Sequence, residues 1–310
     1  MADPVPPNAE GFLHHTWSSL GGSAALLPAA GFTGGGDLPS VFAVSDLAAG
    51  VVAAAGLAVA ELLAAGGATM PSVQVDRRLA SFWFGTTLRP LDWSVPPPWD
   101  PIAGDYQAAD GWIRLHTNAP HHRDAALAVL QTPADKDAVA AAVASWQQDE
   151  LEAAVVRQGG CAAAMRDLAS WSEHPHGRAV AAEPLAGIDA GDMAALSDWR
   201  PDRDRPLAGV RVLDLTRVLA GPVATRFLAG FGADVLRIDP PGWDEPGVIP
   251  SVTLGKRCAR LDLRQPSERR VFEDLLRSTD VLVHGYRPDA LSRLGLDVAA
   301  RRRLRPGLVD

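Results

Sequence analysis

The stretch from Leu207 to Pro241 constrains the fold of this chain more than any other. Val210–Leu215 is a short apolar run with β-branched residues, which predicts a strand. Ala220–Phe231 carries apolar residues at helical spacing, and Val235–Ile238 predicts a second strand. A strand, a helix and a strand of this length predict a right-handed βαβ unit, in which the two strands are parallel.

The loop between the first strand and the helix is the predicted ligand site. Thr216–Gly221 lies at the carboxyl end of the strand, which is where open α/β sheets bind ligands. Pro222 suits the first helical turn because the N–H that it lacks would have no partner there. The loop holds a single glycine, so a dinucleotide fingerprint is not predicted. Its helix N-terminus remains a candidate site for a phosphate group.

Length and composition favour a globular cytoplasmic protein. The chain has 310 residues, of which 47% are hydrophobic, and this length suggests two domains or one large one. The net charge of −8 argues against a nucleic-acid partner. Cys161 and Cys258 lie far apart, which favours a reduced, cytoplasmic compartment. We expect no signal peptide, because the N-terminal segment lacks a basic region followed by an apolar core.

One apolar stretch, Leu47–Gly67, is almost long enough to span a bilayer. Asp46 and Glu61 interrupt or border it, and its alanines and glycines are only weakly apolar. These features favour a closely packed helix of the interior, capped by Ser45 or Asp46. We therefore expect no membrane partner.

The remaining patterns predict smaller elements on either side of this core motif. Before it, we expect a helix near His14–Leu27, a strand at Ser72–Val75, a short amphipathic element at Arg78–Phe84, a hairpin over Gly104–Thr117, helices at His121–Leu130, Lys136–Trp146 and Glu150–Gln158, and a short helix or a strand–helix pair at Cys161–Ser172. After it, we expect an alternating segment at Cys258–Leu263, a helix at Pro266–Ser278, a strand at Asp280–His284 and a short helix from Pro288 to Leu294.

Three sets of polar residues are candidates for contact with a phosphate or a metal ion. Lys256 follows Gly255 in a loop without an obvious acidic neighbour, so it is either a phosphate ligand or an ordinary surface lysine. The arginines at 301–303 and 305 are typical of a solvated face, with phosphate contact as the alternative. His174-Pro175-His176 is interpreted as a surface loop in preference to a metal site.

Three segments of the chain, taken together, resemble the class III CoA-transferase family, which includes formyl-CoA transferase and carnitine CoA-transferase-like proteins. They are residues 206–241, GKRCARLDL at 255–263 and DVLVHGYRPDALSRLGLD at 280–297, and their order and spacing also match. The resemblance implies an α/β fold with a Rossmann-like open parallel sheet in the C-terminal third. It further implies transfer of coenzyme A between carboxylic acids, with coenzyme A as a substrate and no tightly bound cofactor. Some relatives instead racemise 2-methylacyl-CoA.

A weaker resemblance covers residues 40–190. SDLAAGVVAAAGLAVAELLAAGGA and VQVDRRLASF look like the family segment after its catalytic Asp, and DYQAADGWIRLHT looks like the opening of its small domain. The two halves of the family fold would then occur in swapped order. The predicted divisions are a partial large-domain-like region at 1–100, a small α+β region at 101–195, a linker at 196–205 and a CoA-binding half-domain at 206–310.

The resemblance also implies the site residues. The coenzyme-binding positions are Arg217, Val218, Leu219, Ala220, Lys256, Gly285, Tyr286 and Arg293. Among these, Tyr286 would pack on the adenine, and Lys256 and Arg293 would reach phosphate. The polar residue that the family often has at Leu219 is absent.

No catalytic residue is assigned, because the catalytic Asp of the family falls beyond the position of Leu308-Val309. The expected partners are an acyl-CoA, a small carboxylic acid and a second copy of the chain in an interlocked homodimer. Two other hypotheses stay open: a non-catalytic, truncated homologue that binds acyl-CoA or a partner, and a racemase-like isomerase.

Overall fold

The computed structural model describes residues 8–84, 88–189, 199–287 and 289–310. The chain forms two compact units, one made of Met1–Ser94 with Leu185–Asp310 and the other of Val95–Pro184. We call them the sheet unit and the small unit. This grouping differs from the division predicted from sequence, which kept 1–100 apart from 206–310. The difference arises because the contacts that join the two segments connect residues more than a hundred positions apart, and local patterns do not report such contacts.

The N-terminal part of the sheet unit is a helical layer with a two-stranded parallel sheet. Its elements are α1 (Ala9–Ser19), β1 (Ala30–Thr33), α2 (Val44–Ala65), β2 (Val73–Asp76) and α3 (Arg77–Ser81), with 3-10 turns at Ala24–Ala29 and Phe82–Phe84. The single helix predicted at His14–Leu27 is wrong. Asn8 caps a helix that starts earlier, its Oδ1 accepting from the N–H of Gly11 at 2.7 Å, and Gly21 ends it at a φ of 76°.

Helix α2 is long and apolar enough to cross a membrane by length and composition, and it is the one such helix among the described residues. Its small side chains pack closely: a Cβ on Gly50 would lie 2.8 Å from the carbonyl oxygen of Ala9 in α1. The predicted caps are wrong, since the helix starts at Val44. Ser45 Oγ instead accepts from the N–H of Leu38, and the Asp46 carboxylate pairs with Arg77 at 2.9 Å.

The small unit is an antiparallel sheet of order β3-β4-β5 with helices packed on it. Its elements are β3 (Gly104–Gln107), β4 (Trp112–Leu115), α4 (Pro120–Leu130), α5 (Lys136–Val143), α6 (Gln148–Arg157), β5 (Ala162–Ala164), α7 (Leu168–Glu173) and α8 (Pro175–Ala182). The predicted hairpin and the three helices after it are confirmed. The surface loop at His174-Pro175-His176 is wrong in part, because His174 caps α8 and His176 lies in its first turn.

The C-terminal part of the sheet unit is a parallel sheet of order β8-β7-β6-β9. Its elements are β6 (Arg211–Asp214), α9 (Ala220–Gly230), β7 (Asp234–Asp239), α10 (Ile249–Val252), β8 (Arg257–Arg260), α11 (Pro266–Leu276), β9 (Val281–Val283) and α12 (Val298–Leu304), with a 3-10 turn at Ser292–Leu294. The predicted βαβ unit is therefore confirmed as β6, α9 and β7. Pro288, the predicted start of the last short helix, lies outside the described residues, as do residues 196–198 of the predicted linker.

The arginines at 301–303 and 305 form a solvated face only in part, since Arg303 is exposed and the Arg302 side chain is 41% exposed. The Arg301 side chain is buried, donates to the carbonyl oxygen of Leu296 and pairs with Asp310. Arg305 pairs with Asp280 at 2.8 Å. These ion pairs hold the end of the chain beside β9, where Val309 forms an isolated parallel bridge with Val281.

Candidate functional site

The site is built around Asp214, the last residue of β6, whose side chain is fully buried. Its carboxylate accepts hydrogen bonds from the N–H of Thr216 at 2.9 Å and from Oγ1 of Thr225 at 2.6 Å. Nζ of Lys256 lies 2.8 Å from the same carboxylate. A buried carboxylate needs such partners, because an uncompensated charge in the interior is costly. Asp214 thus ties the strand end, the following loop and α9 together.

Lys256 does not stand in the environment that the sequence suggested. An acidic neighbour is present, Asp214, and the Lys256 side chain is fully buried, so it is not a surface lysine. Its ammonium also donates to Oγ1 of Thr225 at 2.6 Å and to the carbonyl oxygen of Pro222 at 2.8 Å. Burial lowers the pKa of Lys256, although Asp214 acts in the opposite direction. Since all three N–H donors are satisfied within the protein, Lys256 shapes the loop, and its contact with a phosphate stays a prediction.

The loop itself carries a strained residue. Val218 has a φ of 66°, a conformation that costs a β-branched residue of the order of 1–3 kcal/mol. Its N–H donates to Oε1 of Glu245 at 2.8 Å, and Oε2 of the same carboxylate accepts from Arg237 at 2.7 Å. Arg237 is itself fully buried and pairs with Asp239 as well. A chain of charged groups on β7 and the following loop therefore holds Val218 in place.

Gly221 allows the loop to turn tightly into α9. A Cβ at this position would lie 2.3 Å from Cβ of Thr216, which is closer than any real contact of this kind. Because Thr216 is fixed by Asp214, it cannot move away. Only glycine therefore fits at this position. With it, the chain passes from Leu219 directly into the first turn of α9, which begins at Ala220.

A crevice of about 150 Å³ opens at the carboxyl ends of the parallel strands, where ligands of open α/β sheets bind. Arg217 is its principal cation: Nη2 donates to the hydroxyl of Tyr286 at 2.8 Å. The guanidinium lies 5.1 Å from the centre of the Tyr286 ring and 5.0 Å from that of Trp243. Burial raises the pKa of Tyr286, so the phenol stays neutral. The crevice is lined by Leu215, Arg217, Ile238, Pro240, Leu261, Asp262, Leu263, Arg264, Tyr286, Ala290, Leu291 and Leu294.

The donors around Arg217 are not saturated. Within the part of the chain that the structure describes, Nε of Arg217 and Nε1 of Trp243 are buried without an acceptor. Nη1 of Arg237 is also buried without an acceptor among the described residues. The guanidinium of Arg217 and these unpaired N–H groups give this side of the loop a positive potential, which suits an anionic ligand.

The other predicted site residues, Gly285 and Arg293 among them, do not line this crevice. Gly285 directly precedes Tyr286, and a Cβ there would meet nothing within 4 Å. The Arg293 side chain is 78% exposed and pairs with Asp289. It does not line the crevice, whereas the neighbouring Leu294 does. The geometry thus brings Arg217 and Tyr286 together, and the contact of Arg293 with phosphate stays a prediction.

Sequence reasoning missed four residues of the site: Asp214, Thr225, Trp243 and Glu245. Asp214 is the second-last residue of a predicted strand, next to the ligand edge, so its position carried a signal. Glu245 and Trp243 belong to a loop whose pattern predicts nothing beyond irregular structure. Asp239, the last residue of β7, accepts from Arg237 at 2.9 Å.

Four carboxylates that the described residues bring to this site are held in ion pairs. Asp214, Asp239 and Glu245 each accept from a buried cation, and Asp262 pairs with Arg264 at 2.8 Å. Among the described residues, no three His, Cys, Asp or Glu side chains are grouped so as to hold a metal ion. The catalytic residue therefore remains unassigned.

A parallel sheet with a ligand loop and a crevice at its strand ends defines an α/β ligand-binding fold. Residues 207–310, about a third of the chain, match the model of the CoA-transferase family III, so this region is similar to the class III CoA-transferases. The matched region begins just before β6 and contains Asp214, the loop, Lys256 and the crevice.

Several curated proteins are similar to this chain. An acyl-CoA transferase of Gibberella moniliformis is 27% identical over 216 residues, 64% of this chain and 38% of the relative. A succinyl-CoA:glutarate CoA-transferase of Mus musculus is 35% identical over 43% of this chain and 34% of its own. A formyl-CoA:oxalate CoA-transferase of Bradyrhizobium diazoefficiens is 33% identical over 34% of this chain and 28% of its own. The chain thus spans about a third of the length of the curated relatives that it matches.

Solved structures give a similar picture of partial coverage. A hypothetical protein from Mycobacterium tuberculosis is 30% identical, with 34% of this chain and 32% of that chain covered and a TM-score of 0.30. A CAIB/BAIF family protein from Brucella suis is 27% identical, with 34% and 32% covered and a TM-score of 0.31.

Proposed function

We propose that the sheet unit binds coenzyme A and its thioesters at the carboxyl edge of the parallel sheet. The observation that carries the proposal is that the family match, the strained loop and the unsaturated donors around Arg217 coincide at one place. The anionic phosphates of coenzyme A complement the positive charge of the Arg217 guanidinium at the crevice. The neutral Tyr286 ring offers an apolar face for the adenine beside Arg217.

The activity supported best is transfer of coenzyme A between an acyl-CoA and a carboxylic acid. Relatives that this chain resembles are named as acyl-CoA, succinyl-CoA:glutarate and formyl-CoA:oxalate transferases. Such transfer requires a carboxylate nucleophile that forms a mixed anhydride and then a CoA thioester. Its tetrahedral intermediates require N–H donors directed at the oxyanion.

A second candidate function is binding of acyl-CoA without transfer. It is favoured by the finding that each carboxylate beside the loop is held in an ion pair. A transferase assay with octanoyl-CoA and succinyl-CoA as donors, and with glutarate or oxalate as acceptor, separates the two. Turnover by the purified chain supports transfer, and binding without turnover supports the second candidate. Exchange of the α-proton of a 2-methylacyl-CoA in deuterated water would indicate the racemase alternative instead.

The assembly and the compartment also remain proposals. A homodimer, interlocked as in the family, would cover apolar surface of the sheet unit, and sedimentation equilibrium tests it: a monomer at all concentrations contradicts the dimer. The cytoplasmic location is supported by the two free thiols, Cys161 and Cys258. The swapped order of the family halves stays a prediction as well.

The binding proposal is tested by calorimetric titration with free coenzyme A. Saturable binding with a Kd below about 1 mM supports it, whereas no heat at millimolar ligand contradicts it. Adenosine 3′,5′-bisphosphate provides a second ligand that carries the adenine and phosphates but not the thiol arm. Binding of this fragment would locate the affinity at the nucleotide end.

A further inference from the structure

A second, larger cavity of about 580 Å³ lies within the sheet unit, between α2, α9 and the turn at Phe82–Phe84. Its volume falls within the range of about 300–1,000 Å³ that is typical of small-molecule sites. Every lining residue among those described is apolar. The walls include Val51 and Val52 of α2 and Val223 and Phe227 of α9.

The cavity adjoins the end of the ligand loop between β6 and α9. Leu219 and Ala220, at the start of α9, line its mouth. Leu219 and the adjacent Val218 are 55% and 54% exposed, so they form an apolar surface between the loop and the cavity. Leu219 follows Arg217 by two residues, at most about 8 Å along the backbone, so the flexible pantetheine arm of a coenzyme A bound at Arg217 can carry its acyl group to this opening.

Aromatic side chains form another part of the cavity wall. Trp83 and Phe84 line it, and the guanidinium of Arg226 lies 4.8 Å from the centre of the Trp83 ring. Arg226 is held in turn by Ser251, whose hydroxyl lies 3.2 Å from Nη1. Arg226 is not itself a lining residue, and the lining residues that the structure describes offer no partner for a buried charge.

We infer that this cavity takes the acyl or aryl group of the CoA thioester, and that the preferred substrates are apolar acyl-CoAs rather than short dicarboxylic ones. The inference rests on the proposed coenzyme site. A linear aliphatic chain or an aromatic ring gains by leaving water in such a cavity, whereas a free carboxylate such as that of a succinyl group loses its hydration without a partner.

The inference is tested by calorimetric titration of the whole chain with free coenzyme A, acetyl-CoA, hexanoyl-CoA, octanoyl-CoA and succinyl-CoA. Each buried methylene strengthens binding by up to about fourfold, so octanoyl-CoA should bind at least about tenfold more tightly than acetyl-CoA. Succinyl-CoA should bind no more tightly than acetyl-CoA. This series uses the wild-type protein and does not depend on any variant folding.

A variant then locates the effect. Ala224 is exposed on α9 and lines the cavity, so Ala224→Phe should fill it and remove the gain from chain length while coenzyme A still binds. Ala299→Phe, the same change at an exposed position of α12 outside the lining, should leave the gain intact.

Three outcomes overturn the inference alone, and a fourth also overturns the coenzyme site on which it rests. Equal affinity for acetyl-CoA and octanoyl-CoA, with coenzyme A still bound, refutes the acyl cavity and leaves the coenzyme site standing. A chain-length gain that survives in Ala224→Phe places the acyl group elsewhere. A change in sedimentation in Ala224→Phe, with acyl affinity unchanged, identifies the cavity as a contact between copies. Failure to bind coenzyme A or any of its esters contradicts the coenzyme site itself.

Discussion

The ammonium nitrogen of Lys256 lies 2.8 Å from a carboxylate oxygen of Asp214, and neither side chain is accessible to solvent. The pair joins β6 to the loop that leads into β8, and Thr225 of α9 hydrogen-bonds both partners. These contacts thereby fix the ligand loop on both sides, at the end of β6 and in α9. Its shape depends on a buried ion pair and not on the loop residues alone.

Lys256→Met should lower the free energy of unfolding by about 3–5 kcal/mol, because it leaves the Asp214 charge buried without its cation. Urea unfolding measures this change. Arg257→Met is the matched control, since the adjacent Arg257 pairs with Asp234 on the surface, where such pairs contribute about 1 kcal/mol or less. Equal losses in the two variants would show that the buried pair has no special role.

Gly221→Ala should destabilise the protein by about 1–3 kcal/mol, because the new Cβ has no room beside Thr216. The same loop displacement should weaken coenzyme binding, which calorimetry measures alongside thermal unfolding. Gly230→Ala, at the other end of the same helix, is the control. A Cβ there meets nothing within 4 Å, so this variant should be as stable as the parent or up to about 1 kcal/mol more stable. A Gly221→Ala protein as stable as Gly230→Ala would contradict the close approach.

His284 should make stability depend on pH below neutrality. Burial lowers the pKa of His284 from its ordinary 6.5, although Asp310 at 3.6 Å opposes the shift. As the pH falls below 6.5, the unfolded state takes up a proton before the folded state does, so the free energy of unfolding decreases until the folded-state pKa is passed. Urea unfolding at about pH 7.5 and about pH 5.5, roughly one pH unit on either side of the ordinary pKa, measures this dependence. Between these two pH values, His284→Gln should lose less of its free energy of unfolding than the parent.

The control for this pH dependence is His14→Gln, because His14 is exposed on α1. This variant should follow the parent across the same range. If the parent and His284→Gln lose stability in parallel, His284 does not contribute to the dependence.

The central βαβ unit was predictable from sequence because its signals are local. Apolar β-branched residues, helical spacing and a stop at Gly232 fix β6, α9 and β7 without reference to distant residues. The parallel arrangement follows from the handedness of such connections. The importance of Arg217 and Tyr286 came from the family resemblance, and the structure shows that the two side chains are hydrogen-bonded across 69 positions of sequence.

The environment of Lys256 could not be predicted, because its partners Asp214, Pro222 and Thr225 precede it by 31 to 42 positions. A lysine after a glycine has the same local pattern whether it is buried or exposed. The grouping of the N-terminal helices with the C-terminal sheet escaped prediction for a similar reason. The contact of Trp83 with Arg226 joins two segments with unrelated local patterns.

The measurement that tests the account most directly is calorimetric titration of coenzyme A into the parent, Arg217→Ala and Arg277→Ala. Arg217 lies between Tyr286 and Trp243 at the crevice, whereas Arg277 pairs with Asp274 on the surface of the sheet unit. Loss of a charge-assisted hydrogen bond costs about 1.5–3 kcal/mol, so the Kd should rise about tenfold or more in Arg217→Ala and stay unchanged in Arg277→Ala. A parent that does not bind coenzyme A at millimolar concentration, or equal affinity in all three proteins, would contradict the account.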